Sequence, residues 1–439
     1  MTIRVFTPPV SVDGIPVMVE TSRTLPLVDV VLMLHVGSLA EPIALEGLAR
    51  FLARASRSGT AKVDAFALEE RIASLGGRLA IDVGTGHIRF HGSVIARNLD
   101  AFVRTIASIF VAPAFRVKDV DRVRRETLAD LVANADDDRW LASRAFRRTF
   151  FAKHPLGRSL AGTNKSLRAI RRADLIDFHE GALARDRLFV GFSGDVDAAH
   201  AHALVHELFG GIPARSRKPR AIAEAKPKKG RTLVVVDKPD RTQCQIVAGT
   251  LGSRLGDPLI FPLHVANTAF GGMFSGRLVD EIRVKRGYSY GASSRLGQDV
   301  VRDAWTMSSF PTVEQAVDCT RTMIDLAEGF VDEGLTAREV RAAKSYLVNG
   351  RCFEDDTAHK RLDARMDVVV NAQPVEHYTR FDALVSKVDR ASANAAIRER
   401  LDLGTMVLAI VGPAKALVPG LKKLDGIGKL VVRSLAEID

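Results

Sequence analysis

A chain of 439 residues with 46% hydrophobic content and a formal net charge of +11 is long enough for two to four domains with buried cores, which excludes a disordered protein. No apolar run reaches the ~18 residues that a membrane-spanning helix requires, and the best candidate, Leu25 to Val36, is short and interrupted by Asp29, so no membrane partner is expected. The positive charge is spread along the chain and concentrates only between Arg215 and Arg231, without an aromatic-studded basic motif; this argues against nucleic acid and leaves a weak attraction for acidic partners or peptides.

The chain opens Met1-Thr2-Ile3-Arg4 and passes into strand-like alternation at Val17 and Val19, without the apolar core of a secretory signal. A cytoplasmic location is expected, or a periplasmic one if a signal has been removed. A turn and strand from Thr24 through Val30 lead to Gly37-Ser38-Leu39-Ala40-Glu41, then Gly47-Leu48-Ala49-Arg50-Phe51-Leu52-Ala53-Arg54, closing with Ser58-Gly59-Thr60. On a helix Arg50 and Arg54 share one face and Arg57 extends the same stripe. Ser38 and Glu41 have the spacing of a capping box, and Gly59 is placed to end the helix. His87 and His91 alternate with Arg89 on a strand, on one partly exposed face. Amphipathic periodicity predicts helices over Asn98 to Phe110 and Val117 to Asn134. Further on, His200, His202 and His206 put two imidazoles four apart on a helix face, a spacing that can bind metal, although solvated histidines give the same pattern.

The segment Pro213 to Gly230 is proline-punctuated, charged and non-periodic, and reads as an exposed linker. Residues 1–212 then form a first domain, 213–231 the linker and 232–439 a second domain. The halves rhyme: Leu188 to Asp195 near the close of the first matches Met406 to Pro413 in the second, and the strand leading to Gly37 matches Lys238 to Gly249. An internal duplication accounts for this. With helices predicted over Val313 to Glu333 and Ala337 to Leu347, strands and helices come in runs rather than strict alternation, as in α+β domains with a mostly antiparallel sheet and helices packed on one face. Cys244, Cys319 and Cys352 are too scattered for a disulfide framework and read as packing residues.

In the second half Asn267-Thr268-Ala269-Phe270-Gly271-Gly272-Met273-Phe274-Ser275-Gly276-Arg277-Leu278 precedes Glu281-Ile282-Arg283-Val284-Lys285-Arg286-Gly287-Tyr288-Ser289-Tyr290. Gly271, Gly272 and Gly276 do not form a nucleotide loop, because no Lys-Ser or Lys-Thr follows. Arg283 and Tyr290 can both donate hydrogen bonds to a carbonyl oxygen that gains charge, with Gly287 letting the backbone leave the helix between them. The plainer alternative is a surface ion pair at Arg283 and a core residue at Tyr290.

Together the two strings resemble the pitrilysin/insulinase family of zinc metallopeptidases, in its bacterial two-domain type related to the mitochondrial processing peptidase subunits. The resemblance covers nearly the whole chain and implies two homologous α/β rolls. The family's inverted zinc motif reads H-x-x-E-H; here its slots hold Arg50, Ala53 and Arg54, and the slot of the third ligand holds Asp130. A guanidinium has no lone pair to give and Ala53 has no carboxylate to activate water, so no cofactor is expected in this chain. Asp130 is expected to pair with Arg50 or Arg54. What the resemblance implies is a zinc-free subunit, inactive alone, of a heterodimeric metallopeptidase that cleaves peptides. A homologous partner would hold the zinc, and Arg283 and Tyr290 would contact substrate near the scissile carbonyl in trans. The alternatives are a scaffold, or a peptide-binding homodimer, with no part in proteolysis.

Overall fold

The computed structural model describes residues 5–217 and 221–438; the first four residues and residues 218–220 of the expected linker lie outside it. Two six-stranded sheets carry the architecture. The first contains β1 (Val10–Val12), β2 (Ile15–Thr21), β3 (Leu27–Leu34), β4 (Arg78–Val83), β5 (Ile88–Ile95) and β6 (Leu188–Gly194), in the order β1-β2-β6-β3-β5-β4. The second contains β7 (Arg231–Asp237), β8 (Gln245–Leu251), β9 (Ala292–Leu296), β10 (Ala304–Ser309), β11 (Val407–Gly412) and β12 (Ile427–Arg433), in the order β12-β7-β11-β8-β10-β9. From β2 and β7 onward the two orders are the same, and the rhyming segments β6 and β11 take equivalent central places. The fold is α+β, as the periodicity implies. Its sheets are mixed rather than purely antiparallel: β2 runs parallel to β6, and β7 runs parallel to both β11 and β12.

Alternation along the strands explains the packing. In β3, Val28, Val30, Leu32 and Leu34 point into the core of the first half, under helices that include Leu48–Ser56, Leu99–Val111 and Val117–Asn134. Val31 and Met33 point the other way and meet Leu362, Met366 and Val370, which belong to the second-half helix Ala358–Val370. The second half answers in kind. Ile246, Ala248, Leu408 and Ile410 face its own helices, whereas Val247, Ala409 and Val411 meet Leu141, Ala145 and Phe146 of the first-half helix Asp138–Phe151. Helices therefore pack on one face of each sheet from its own half, and the second face is covered by one helix exchanged from the other half. Both faces being buried, β8 and β11 are buried at every residue, and β11 is continuously apolar instead of alternating with polar residues.

Polar contacts fasten both exchanges. Lys238 Nζ lies 2.9 Å from Asp138, Arg147 lies 3.0 Å from Asp303, and Arg144 donates to the Ile438 carbonyl at 2.7 Å. On the other side, Arg89 meets Asp363 at 2.5 Å, and Glu20 accepts from Arg361 at 2.9 Å and from Arg365. The linker is not wholly exposed: Ala225 is buried with the helix Asp138–Phe151. Cys244 and Cys319 are packing residues, with thiols pushed up by burial to about 12 and about 11, but Cys352 is exposed, in the short helical turn Arg351–Phe353, where its thiol donates to the Asn349 carbonyl at 3.2 Å. Among the described residues no helix is long and apolar enough to cross a membrane.

Phe146 is 1% exposed in the seam of one exchange. Phe146→Ala is expected to lower stability by about 3–5 kcal/mol, read from the urea midpoint of the full chain. A loss under about 1 kcal/mol would mean that the helix does not seat there.

Candidate functional site

The helix Leu48–Ser56 begins with Gly47 in the left-handed region, φ 89°, where its back lies against Gly162; an added Cβ would come within 2.7 Å of the Gly162 Cα. No side chain at Gly47 can cap the exposed N–H groups. Glu41 does so from six residues upstream, accepting from the Gly47 N–H at 2.9 Å and the Ala49 N–H at 2.8 Å. This replaces the capping box expected between Ser38 and Glu41: Ser38 instead donates its N–H to the Gly84 carbonyl, and Gly59 sits beyond the helix end with φ 100°. Glu41 is 5% exposed, and burial raises its carboxyl to about 7, against the two backbone donors and the nearby Arg158 guanidinium.

On this helix Ala53 is buried and the arginines around it are committed differently. Arg54 pairs with Asp130 of the helix Val117–Asn134, and its other nitrogen lies 3.8 Å from Glu126. Arg57 donates to both oxygens of Glu69, at 2.5 and 2.9 Å, and to the Leu79 carbonyl. Arg50 is exposed and, among the described residues, makes no ion pair. These four positions do not fit zinc: two guanidinium groups and a methyl offer no donor lone pair, and the remaining carboxylate already holds a cation. Among the described residues no group of three or more His, Cys, Asp or Glu side chains is placed to hold a metal ion. The three helical histidines do not converge. His200 meets Asp100 at 2.7 Å and His206 meets Asp13 at 2.7 Å, on separate elements. His91 pairs with Asp82 at 2.7 Å, on the partly exposed sheet face.

The glycine-rich string of the second half has its own frame. Asn267 accepts hydrogen bonds from the Trp305 indole at 3.0 Å and from Ser294 at 2.8 Å, tying the helix Ile260–Asn267 to β9 and β10. Gly271 rests directly on Ser294, where a Cβ would come within 2.9 Å; Gly272 sits against Asn267 and Gly276 against the Phe270 carbonyl. After the turn, a widened helical stretch Asp280–Lys285 ends at Gly287, φ 62°, with the Tyr288 N–H closing back on the Ile282 carbonyl at 2.9 Å. Arg283 is thereby held against two rings, 4.6 Å from the centroid of Phe274 and 4.6 Å from that of Tyr290. Tyr290 is 80% exposed and Phe274 67%, so the core alternative for Tyr290 is excluded. The surface ion-pair alternative for Arg283 fails as well: Asp280 is held by Lys285, and Glu281 by Lys285 and Arg286. Among the described residues no carboxylate reaches Arg283. Phe274 escaped the sequence reading; an aromatic inside a glycine-rich turn was the available signal.

Set against known proteins, residues 17–164 match the insulinase family, peptidase family M16, and residues 169–347 match the family described as the peptidase M16 inactive domain. The chain belongs to the M16 peptidase family. Similar relatives include an uncharacterized zinc protease of Mycobacterium tuberculosis, 27% identical over 89% of this chain and 90% of that protein. A non-peptidase homolog, YmxG of Helicobacter pylori, is 21% identical over 91% of this chain and 92% of that one. The crystal structure of a peptidase M16 inactive domain from Pseudomonas fluorescens shares the fold with a TM-score of 0.86 at 20% identity, covering 93% of this chain and 98% of that one. A protease structure from Helicobacter pylori gives a TM-score of 0.82 at 16% identity, covering 93% and 100%. Arg50, Ala53 and Arg54 lie within the segment that matches the insulinase family.

The Glu41 cap carries a pH signature. Its folded pKa lies above the ordinary value of 4.5, so between pH 4.5 and about 7 the native state holds a proton that the unfolded chain has released, and stability falls as pH rises through that window. Asp367, raised by burial to about 6, adds to the same slope. Urea unfolding from pH 5 to 7.5 should show the decline, and Glu41→Gln should remove Glu41's share, of the order of 2–3 kcal/mol. A mutant slope equal to that of the parent would contradict the assignment.

Proposed function

We propose that this chain is the zinc-free subunit of a two-chain M16 peptidase, and that it binds peptide and stabilises the developing oxyanion opposite a homologous partner's zinc site. The observation that supports this is the Arg283 stack. A half-buried guanidinium, held against the exposed rings of Phe274 and Tyr290 and left uncompensated by its acidic neighbours, is an unused donor set held in one place. When a peptide carbonyl becomes tetrahedral its oxygen gains charge, and donors already oriented toward that oxygen stabilise the transition state more than the ground state. The Arg283 N–H groups and the Tyr290 hydroxyl have that chemistry. The metal, the attacking water and the general base belong to the partner, because Arg50, Ala53 and Arg54 supply none of them.

A relative bearing the description non-peptidase homolog supports a second reading, in which the chain scaffolds or binds peptides without any role in cleavage. Mixing with a homologue that carries an intact H-x-x-E-H motif separates the two. The pair should cleave a long peptide faster than the homologue alone. Arg283→Ala should lower kcat of the pair by about 10²-fold, and Tyr290→Phe by about tenfold, each with a smaller change in KM. Rates that do not rise on mixing, or that ignore both substitutions, favour the second reading.

A further inference from the structure

The space between the two lobes holds a cleft of about 600 Å³ lined by strands of the second sheet, by first-half residues such as Ser38, Arg50 and Thr85, and by the exchanged helix Asp138–Phe151. Five arginines face it against two aspartates, with no lysine or histidine. The carboxylates are already matched. Asp303 pairs with Arg147 at 3.0 Å, and Asp299 is buried, accepts from the Val300 N–H at 2.7 Å and from the Thr85 hydroxyl, and has its carboxyl raised by burial. Among the described residues Arg158 is hydrogen-bonded to a neutral partner, the Glu41 carbonyl at 2.8 Å. Arg50, from the first lobe, and Arg295, on β9 of the second, are exposed, and among the described residues neither makes an ion pair.

Two uncompensated guanidinium groups reaching one concave space from opposite lobes carry a mutual repulsion that an anion between them relieves. Each offers a planar fork of donors suited to a carboxylate. The half-buried Trp140, the Phe146 ring and the hydroxyls of Ser143, Ser159 and Thr306 supply apolar and neutral hydrogen-bonding surface beside them, which suits a polypeptide better than a bare phosphate. We infer that the interlobe cleft binds acidic peptide segments, with Arg50 and Arg295 taking the carboxylates of aspartate or glutamate side chains. The inference extends beyond trans catalysis, since it concerns the chain alone and assigns a function to the residue that replaced a zinc ligand. Arg50 is thus a binding residue, not only a relic.

The test uses the purified full chain. Of its two tryptophans Trp305 is buried in the second core while Trp140 lines the cleft, so tryptophan fluorescence reports occupancy. A peptide carrying Glu and Asp should bind about tenfold or more tighter than its Gln and Asn counterpart, and tighter than inorganic phosphate or a single-stranded oligonucleotide. Arg50→Ala and Arg295→Ala, both at exposed positions, should each erase most of that preference while leaving the urea midpoint in place. Affinity should drop several-fold between ~50 and ~300 mM NaCl. Equal affinity for the acidic and amide peptides, a preference that survives both substitutions, or oligonucleotide binding as tight as that of the acidic peptide would overturn it. The Arg283 variants leave this readout unchanged, so its failure and the failure of the trans reading are separable.

Discussion

The arrangement rests on the reciprocal covering of each sheet by a helix from the other half. A six-stranded sheet with an apolar row on both faces cannot stand alone in water, because burying one face leaves the other exposed. In β3 that second row is Val31 and Met33; in the second sheet it runs through Val247, Ala409 and Val411. Each half therefore completes its fold only with the other present, and ion pairs such as Arg89 with Asp363 and Lys238 with Asp138 set the orientation at the rim. The cleft between the lobes is a consequence: the helix Asp138–Phe151 floors it, and the loops that follow β4 and precede β10 meet across it through Thr85 and Asp299.

On that frame, the arginines of the helix Leu48–Ser56 pose an electrostatic problem that the structure has solved unevenly. Like charges at Arg50, Arg54 and Arg57 on a single helix would each cost a few tenths of a kcal/mol if left alone. Arg54 is answered by Asp130 and Glu126, and Arg57 by Glu69. These are partly exposed pairs, worth about 1 kcal/mol or less apiece, so they relieve repulsion rather than anchor the fold. The anchor is Glu41, whose buried carboxylate satisfies two N–H groups at the start of the helix. The helix Leu48–Ser56 is thus held at its start by Glu41, and Arg50 lines the cleft without an ion pair among the described residues.

What could be read from the sequence divides along physical lines. The helix Val117–Asn134 is legible to the residue because a long amphipathic period outweighs local ambiguity, and the pairing of Asp130 is legible because the chemistry of two arginines demands an anion nearby. The rhyme between β6 and β11 discloses two copies of one topology. The helix exchange is not legible. Leu141, Ala145 and Phe146 announce a buried face but not which sheet buries it, since periodicity carries no information about distant partners. Glu41 was misassigned for a related reason: capping-box spacing is a local rule, and here an αL residue at Gly47 and the close approach of Gly162 shift the cap to a side chain outside the rule's reach. Cys352 shows the same limit, as residue type alone does not set burial.

The glycine-rich segment shows how such local geometry can isolate a charge for use. A guanidinium on a helix face normally finds the nearest carboxylate, and Glu281 and Asp280 stand two and three residues from Arg283. Lys285 and Arg286 occupy both acids first. The left-handed Gly287 then turns the chain back, and the guanidinium carbon of Arg283 lies over the Tyr290 ring and, at the same distance, over that of Phe274. Stacking of this kind contributes about 0.5–1 kcal/mol per exposed ring. Such contacts are made through the ring faces and consume none of the guanidinium N–H donors, which a carbonyl or carboxylate oxygen can still accept. Orientation is thereby fixed without using any hydrogen-bonding capacity, which is what a site that must act on another molecule's oxygen requires.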